Sequence, residues 1–283
     1  MRSAVLALSA YATKMGRSLP LATVIASIPV GSSPSGVAVT PDGGKVYVTN
    51  TGTGESPGTV SVISTATDTV IATIGVGFGP TGIAVTPDGS KVYVANFGVG
   101  FQVGINATVS VISTATDTVI ATITIDRGTA GTAGSEGVAV TPDGSKVYVA
   151  SDDEAGSISV INTATNMVAA KFSDGGVAPF GVAVTGDGGQ VYVANLLSNT
   201  VSVINAASDT VTATIPVGNF PIAFGMFIQP RPTFAGTPRS ANCYGQSVAT
   251  LATQFGGLIR AASALAFSSI RAMQDAIMAY CGG

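Results

Sequence analysis

Short apolar segments alternate with polar turns along most of this chain. In the first group they cover Gly36–Thr40, Lys45–Thr49, Thr59–Ser64 and Thr69–Ile74. β-Branched residues and tyrosine dominate them, and none has the 3.6-residue period of a helix. Pro41, Asp42 and Gly43 are typical of a tight turn, since proline fixes φ and the other two suit the remaining positions. The pattern predicts four consecutive strands joined by short turns and loops.

Strict alternation of apolar and polar residues is weak inside these strands. Segments such as KVYVAN and TVSVIS are apolar at nearly every other position, with small residues between. A strand with one face in water would alternate more clearly. We therefore expect sheets that are covered on both faces.

The group of four strands recurs along the chain. Variants of GVAVTPDG begin at Gly36, Gly82, Gly137 and Gly181, and the units lengthen mainly at Phe97–Asn106 and Asp126–Ser135. Four-stranded units that repeat at this spacing and bury both faces predict an all-β fold, a β-propeller with four full repeats. Loop insertions of this kind are either binding surfaces or neutral variation.

Two fragments flank the four repeats. Ala22–Ile28 matches the fourth strand of a unit, and Pro221–Ile228 looks like a first strand. Together they predict a partial fifth repeat that the two chain ends share. A closed five-bladed ring, a tight four-bladed ring and an open arc completed by a second chain all remain open.

The ends of the second strands carry a family resemblance. Tyr47-Val48-Thr49-Asn50, Tyr93-Val94-Ala95-Asn96, Tyr148-Val149-Ala150-Ser151 and Tyr192-Val193-Ala194-Asn195 stand at equivalent places. With the adjacent turns and strands, they resemble the YVTN repeat family of bacterial and archaeal β-propellers over residues 22–230. The resemblance implies a fold more than an activity, because propellers carry many unrelated functions.

The strand pattern stops after residue 230. Residues 231–240 read as a linker, and residues 241–283 have the composition of short helices, including an amphipathic segment at Ile270–Tyr280. So small a helical appendage usually needs a covalent staple. Cys243 and Cys281 flank the predicted helices and could form one disulfide, whereas two free thiols would fit a cytosolic protein.

The N-terminus permits two interpretations. Residues 1–21 contain Arg2 followed by a short apolar stretch with small residues, which resembles a minimal secretory signal. Alternatively, Ala4–Ser9 is a degenerate strand. With the signal and the disulfide, we expect an extracellular, periplasmic or cell-surface protein.

Composition excludes several kinds of function. The chain has no histidine, which removes Ser-His-Asp catalysis and histidine-ligated zinc. Its central body is acidic, so nucleic acid is not an expected partner. No apolar run is long enough to predict a membrane span, and no cofactor is predicted.

Two sets of carboxylates are candidate metal ligands. Asp42, Asp88, Asp143 and Asp187 recur in equivalent turns, where such residues usually bond their own backbone, and Asp68, Asp117 and Asp209 recur in the second turn of a unit. Asp152, Asp153 and Glu154 occur together once. They could contribute to a Ca²⁺ site, although a solvated acidic loop is the favoured interpretation.

Three functions fit these observations. The first is a binding or interaction scaffold that uses propeller loops to hold a protein or glycan partner. The second is an enzyme, because propellers similar to this one include lactonases, lyases and dehydrogenase subunits. The shortage of His and Glu argues against it, and no catalytic residue is predicted. The third is a structural cell-surface protein that self-associates. Any specific activity is expected where the units disagree, at Thr51–Gly58, Phe97–Asn106, Asp126–Ser135 and Asp152–Gly156.

Overall fold

A computed structural model describes residues 26–54, 56–98, 107–125, 134–151 and 156–222, together with residues 274, 277 and 278. The described residues form four antiparallel sheets of four strands each, which we call blades 1 to 4. Blade 1 consists of β1 (Pro34–Val39), β2 (Lys45–Asn50), β3 (Thr59–Ser64) and β4 (Thr69–Gly75). Blade 2 consists of β5 (Pro80–Val85), β6 (Lys91–Asn96), β7 (Ala107–Ser113) and β8 (Thr118–Ile125).

The other two blades repeat this order. Blade 3 consists of β9 (Ser135–Val140), β10 (Lys146–Ser151), β11 (Ser157–Asn162) and β12 (Met167–Ser173). Blade 4 consists of β13 (Pro179–Val184), β14 (Gln190–Asn195), β15 (Thr200–Asn205) and β16 (Thr210–Pro216). Each blade is an up-and-down meander in which every strand pairs with its neighbours in sequence. The predicted strands are confirmed to within two residues at each end.

The blades stack face to face through their first strands. β1 packs against β5, β5 against β9, and β9 against β13. The side of a blade that meets the following blade is called its front, and the opposite side its back. Between blades 1 and 2, the front residues Tyr47, Val60 and Val62 form one cluster with the back residues Val92 and Val94. Similar clusters join blades 2 and 3 and blades 3 and 4.

Burial follows from this stacking. In blades 2 and 3 the second and third strands are covered on both sides, and β6 and β10 are buried at every position after their first lysine. The prediction of sheets buried on both faces is therefore confirmed for these two blades, whereas β16 of blade 4 is exposed throughout. Each buried valine or isoleucine contributes about 1.5–3 kcal/mol through loss of contact with water. The core is thus a series of layers between blades.

Meander topology gives each blade two distinct ends. The turns β1–β2 and β3–β4, with their equivalents in the other blades, lie at one end, which we call the turn end. The β2–β3 connection and the link to the next blade lie at the other, the loop end. This division positions every candidate residue discussed below.

The described residues contain no fifth sheet. Within Ala22–Ile28, Ile28 makes only an isolated β-bridge, and within Pro221–Ile228 the described Pro221 and Ile222 are not in a strand. The remainder of both fragments lies outside the described residues, so the predicted partial fifth repeat is not supported by the described part of the chain.

Little of the tail is described. Gln274, Ile277 and Met278 have helical backbone, and the rest of residues 223–283 lies outside the described part. The linker and the helical domain therefore stay predictions, as does the interpretation of residues 1–21. No described helix is long and apolar enough to span a bilayer.

Candidate functional site

The segments in which the repeats disagree share one end of the molecule. Thr51–Gly58, Phe97–Asn106 and Asp152–Gly156 each join a second strand to a third, and Asp126–Ser135 joins β8 to β9. Because every blade is the same meander, all these connections belong to the loop end. Their described parts, which include Thr51–Gly54, Phe97, Gly98 and Gly156, adjoin the strands at this end, and the remainder of the segments lies outside the described residues.

Asparagines that end the second strands organise the loop end. An asparagine at the end of a strand often starts the next loop by bonding to its own backbone, but Asn50, Asn96 and Asn195 do not. The Asn50 Nδ2 donates instead across the sheet, to Ser61 Oγ at 2.9 Å and Thr59 Oγ1 at 3.1 Å. Asn96 and Asn195 make the same pairs in their own blades.

A glycine presses against each of these asparagines from the segment that enters the same blade. A Cβ added at Gly31, Gly77 or Gly176 would lie 2.6, 2.7 or 2.1 Å from the amide carbon of Asn50, Asn96 or Asn195. Only glycine allows this approach. The asparagine therefore fastens the incoming segment to the sheet as well as bridging two strands.

Several polar atoms at the loop end are buried without a hydrogen-bond partner in the described part of the chain. They are the Oδ1 atoms of Asn50, Asn96 and Asn195, together with the hydroxyls of Ser135 and Ser151. Buried polar atoms are normally paired, because leaving one unpaired costs about 1–3 kcal/mol. Their concentration at this end marks it as the part of the fold least optimised for stability.

Blade 3 departs most from the repeat. Ser151 takes the place of asparagine, and Ser135 takes the place of the proline that starts the other first strands. Beside it, Glu136 is buried in β9, at the position of Thr81 in blade 2. The Thr81 hydroxyl donates to the backbone oxygens of Ser135 and Glu136, both at 3.1 Å. The backbone on both sides of the buried Glu136 side chain is thus held at the loop end of β9.

A second buried carboxyl lies at the entrance to blade 4. Asp174 is only 1% exposed. It has the same position in the repeat as Val76 before blade 2, because the Asp174 N–H donates to the Gly156 carbonyl as the Val76 N–H donates to the Gly58 carbonyl. Asp174 Oδ1 accepts a hydrogen bond from the Gly176 N–H at 2.9 Å. Burial raises the pKa of this carboxyl, and its hydrogen bonds oppose the rise only in part.

The predicted site residues lie outside the described part. Asp152, Asp153 and Glu154 join β10 to β11 at the loop end, and Cys243 and Cys281 belong to the tail. The acidic-loop Ca²⁺ site and the disulfide remain predictions. Among the described residues, no three potential metal-ligating side chains of the His, Cys, Asp and Glu types come together.

The aspartates of the first turn have the structural role that the sequence predicted. In blade 3, Asp143 Oδ1 accepts hydrogen bonds from the Thr141 hydroxyl and the Ser145 N–H, at 2.5 and 3.0 Å. The hydroxyl bond, followed by the backbone bond, lowers the pKa of the carboxyl. Equivalent bonds hold Asp42, Asp88 and Asp187 in their own turns.

The second turn makes a contact that sequence reasoning missed. Tyr47 Oη donates to Asp117 Oδ1 of the next blade at 2.7 Å, and Lys45 Nζ donates to Asp117 Oδ2 at 2.8 Å. Tyr148 and Lys146 bind Asp209 in the same way. Between blades 2 and 3, Tyr93 Oη donates to Asn166 Oδ1 at 2.9 Å, and Lys91 Nζ to the Thr163 carbonyl at 2.7 Å. We call each of these contacts an inter-blade clasp.

Burial keeps the clasp tyrosines protonated. It is the main reason that the pKa of Tyr93 rises to about 12, and it also raises the pKa of Tyr47 and Tyr148 strongly. For the latter two, the hydrogen bond to an aspartate adds to the rise. The signal for the clasp was present in the sequence as Lys and Tyr two residues apart, repeated with the turn aspartate. It could not be interpreted without the register between blades.

Comparisons with known proteins bear on the fold alone. No family model matches the chain, and no curated protein matches it. Among solved structures, a functionally unknown protein from Desulfotomaculum acetoxidans is similar over 70% of this chain and 61% of its own, with 21% identity and a TM-score of 0.57. The RRP9 WD40 repeats are similar over 65% of this chain and 51% of their own, with 15% identity and a TM-score of 0.53.

The fold is that of a β-propeller. The WD40 likeness and the stacked four-stranded meanders agree on this point. Kuenenia stuttgartiensis hydrazine synthase is also similar, over 70% of this chain and 79% of its own, with 20% identity and a TM-score of 0.49. This chain spans about six tenths of the Desulfotomaculum acetoxidans protein and about half of the RRP9 chain. At these identities the likeness carries no activity across.

Proposed function

We propose that this chain is a β-propeller scaffold that binds a protein or glycan partner through its loop end, outside the cytoplasm or at a cell surface. The propeller is the rigid support, and the irregular connections form the contact surface. This arrangement is common, because loops held on a rigid framework can vary without changing the core.

One observation carries the proposal. At the turn end, the aspartate of the first turn is bonded within its own turn in every blade, and the inter-blade clasps join consecutive blades. The loop end is where the strands lead into the segments that vary, and it carries buried polar atoms without a hydrogen-bond partner in the described part of the chain, such as the Ser135 and Ser151 hydroxyls, beside the buried carboxyl of Asp174. Buried polar atoms that the fold leaves unpaired support a role for this end in binding rather than in stability.

Four more specific statements about the chain belong to the same proposal. They are membership of the YVTN family, a partial fifth repeat, a secreted or periplasmic location and a disulfide between Cys243 and Cys281. The tyrosine-containing repeats and the two widely spaced cysteines support them. Intact mass of the native protein with and without reduction and thiol alkylation tests the disulfide, since two alkylated thiols before reduction would contradict it.

Binding can be tested with a glycan array and a displayed peptide library. In the test variant, residues 152–156 are replaced by the Leu196-Leu197-Ser198-Asn199 connection of blade 4. In the control, Ser90→Gly at the turn end copies the glycine of blade 1 at that position. Ligands should be found for the native protein, lost or weakened at least tenfold in the loop variant and kept in the control. Equal binding by both variants, or no ligand at all, would count against the proposal.

Calcium is a possible component of the loop surface. Asp152, Asp153 and Glu154 would supply carboxylate oxygens, which Ca²⁺ prefers. Added Ca²⁺ should then raise the melting temperature of the native protein. Replacing the three residues by Asn, Asn and Gln should abolish the increase. A melting temperature that Ca²⁺ does not change would remove the ion from the proposal.

A propeller enzyme of the lactonase, lyase or dehydrogenase-subunit type is the second candidate. The observation that favours it is the buried Asp174, because carboxyls with a raised pKa are frequent at active sites. Turnover of a lactone panel that falls in the Asp174→Asn variant would favour this candidate over the scaffold. A structural cell-surface protein is the third candidate, and it differs by self-associating without a ligand.

A further inference from the structure

A row of three residues crosses the loop end of each blade. Its members are paired in register on the first, second and third strands, and we call it the loop-end row. In blade 3 the row consists of Ser135, Ser151 and Ser157. In the other blades it has the composition Pro–Asn–Thr, as Pro34, Asn50 and Thr59, as Pro80, Asn96 and Thr108, and as Pro179, Asn195 and Thr200.

The asparagine amide joins the strands of the ordinary row. In blade 2, Asn96 Nδ2 donates to Thr108 Oγ1 at 3.0 Å and to Ser110 Oγ at 2.9 Å. Blade 3 has serines at both acceptor positions, Ser157 and Ser159, and both are buried. The row of blade 3 therefore keeps hydroxyls where an amide is bound in the other blades, but its own sequence supplies no amide.

Every side chain of the serine row is smaller than its counterpart in the other blades. The row is nevertheless closed to solvent, since Ser135 is fully buried and Ser151 is only 3% exposed. Among the described residues, neither hydroxyl has a hydrogen-bond partner. Buried polar atoms are normally paired, and a serine hydroxyl can both donate and accept. Two adjacent buried hydroxyls thus keep unused bonding capacity at positions where the side chains have become smaller.

The segment that enters blade 3 has an anchor outside the row. A Cβ added at Gly134 would overlap the ring of Phe97, so Gly134 packs on that ring beside blade 2. In blade 2, by contrast, Gly77 of the entering segment packs on the row residue Asn96. The described end of the segment that enters blade 3 is therefore held without using the serine row.

We propose that the serine row binds a primary carboxamide, supplied by an Asn or Gln side chain of the protein partner that the loop end binds. A primary amide has two N–H donors and one carbonyl acceptor. The N–H groups donate to the hydroxyls of Ser157 and Ser159, as the row asparagine does in the other blades. The carbonyl oxygen accepts from the Ser151 hydroxyl. This inference rests on the proposed function, and it selects a protein rather than a glycan as the partner.

The first test uses acetamide as the probe and the full chain as the protein. Acetamide should raise the melting temperature of the native protein as its concentration increases, because a ligand that binds only the folded state stabilises that state. Methyl acetate has a similar size and shape but no N–H group, so it should cause no rise. A protein that responds equally to both compounds, or to neither, would overturn the proposal.

Ser151→Asn supplies the amide from within the chain. This variant should melt at a higher temperature than the native protein and should no longer respond to acetamide. Ser145→Gly is the matched control, because it copies Gly44 of blade 1 at the turn end of the same blade, and it should keep the response. A lower melting temperature for Ser151→Asn would mean that the row is already filled. A response to acetamide that survives in this variant would place the amide elsewhere, and either result contradicts the proposal.

Peptide ligands separate this subsite from the proposed function. Peptides selected on the native protein should share an Asn or Gln, and they should bind Ser151→Asn about tenfold more weakly. Peptides that bind both proteins equally would support the proposed function and contradict the subsite. An acetamide response without any peptide ligand would support the subsite and count against the proposed function. A glycan that Ser151→Asn no longer binds, together with no acetamide response, would assign the row to a hydroxyl ligand and overturn the proposal.

Discussion

The two ends of each blade follow different rules. At the turn end, Asp143 is bonded within its own turn, and Asp209 receives Tyr148 and Lys146 from the blade before it. At the loop end, the hydroxyls of Ser135 and Ser151 are buried without a partner in the described part of the chain. Both ends belong to the same strands and have the same topology.

The difference shows where a repeat fold keeps its stability. Contacts at the turn end pass from blade to blade, so a change there disturbs two blades and their junction. At the loop end, bonds within one blade, such as that from Asn96 to Ser110, stand beside bonds to the next blade, such as that from Thr81 to Ser135. The segments that differ in length and composition are nevertheless the connections at this end.

The largest effect is expected for Tyr148→Ala. Tyr148 is fully buried between blades 3 and 4, and its hydroxyl reaches the turn end. The substitution should lower the free energy of unfolding by about 3–5 kcal/mol, as for other large aromatic residues in cores. Tyr192→Ala in blade 4, where the side chain is only partly buried, should cost less than half as much in a denaturant titration. Equal losses would contradict the lower burial of Tyr192.

Gly82, near the loop end, tests whether packing there tolerates an added methyl group. A Cβ at Gly82 would lie 2.3 Å from the backbone oxygen of Glu136 in β9, the first strand of the next blade. Gly82→Ala should therefore lower the free energy of unfolding by about 1–3 kcal/mol, the usual cost of overpacking. Gly75→Ala is the control, because nothing lies within 4 Å of its added Cβ. If both variants unfold at the same denaturant concentration, the first strands of blades 2 and 3 can move apart enough to accept the added methyl group.

Much of the fold could be predicted from the sequence, because it depends on local features that recur. The strand Thr59–Ser64 is found with the predicted bounds, and β2 ends one residue later than predicted, at Asn50. Proline, aspartate and glycine determine the first turn by local bonding alone. Repetition strengthened these inferences, since the same residues indicated the same element four times.

The contacts between blades could not be predicted, because they require the register of one sheet on another. The role of Asp117 as acceptor for Tyr47 depends on a separation of 70 residues in sequence. The cross-strand bond of Asn50 likewise depends on the register of β2 against β3. Asp174 was passed over because an isolated aspartate in a glycine-containing loop gives no sign that it is buried.

Replacing Asp174 should stabilise the protein at neutral pH, whereas replacing the core residues above should destabilise it. Because burial raises its pKa, the folded state holds a proton that the unfolded state releases in the pH range above the usual 3.8. Ionisation therefore costs stability once the pH rises through the folded pKa. Asp174→Asn keeps the acceptor for Gly176 and removes the charge, so it should stabilise the protein at neutral pH by on the order of 1 kcal/mol. The advantage should disappear in acid, and thermal melts at both pH values would check this. Destabilisation at neutral pH would show that the carboxylate has a favourable partner.

The smallest expected effect concerns the pH dependence of a single clasp. Tyr93→Phe removes the hydroxyl that donates to Asn166, at a cost of about 0.5–1.5 kcal/mol at neutral pH. In the native protein, the pKa of Tyr93 is about 12 when folded and 10.0 when unfolded. Between these values the unfolded state binds fewer protons, so the native protein loses stability as the pH rises. The variant lacks this tyrosine and therefore this pH dependence. The difference in free energy of unfolding between the native protein and the variant should therefore narrow above pH 10 in denaturant titrations. If that difference stays constant to about pH 12, water reaches the Tyr93 hydroxyl. The clasp between blades 2 and 3 would then be less tightly packed than the hydrogen-bond distances indicate.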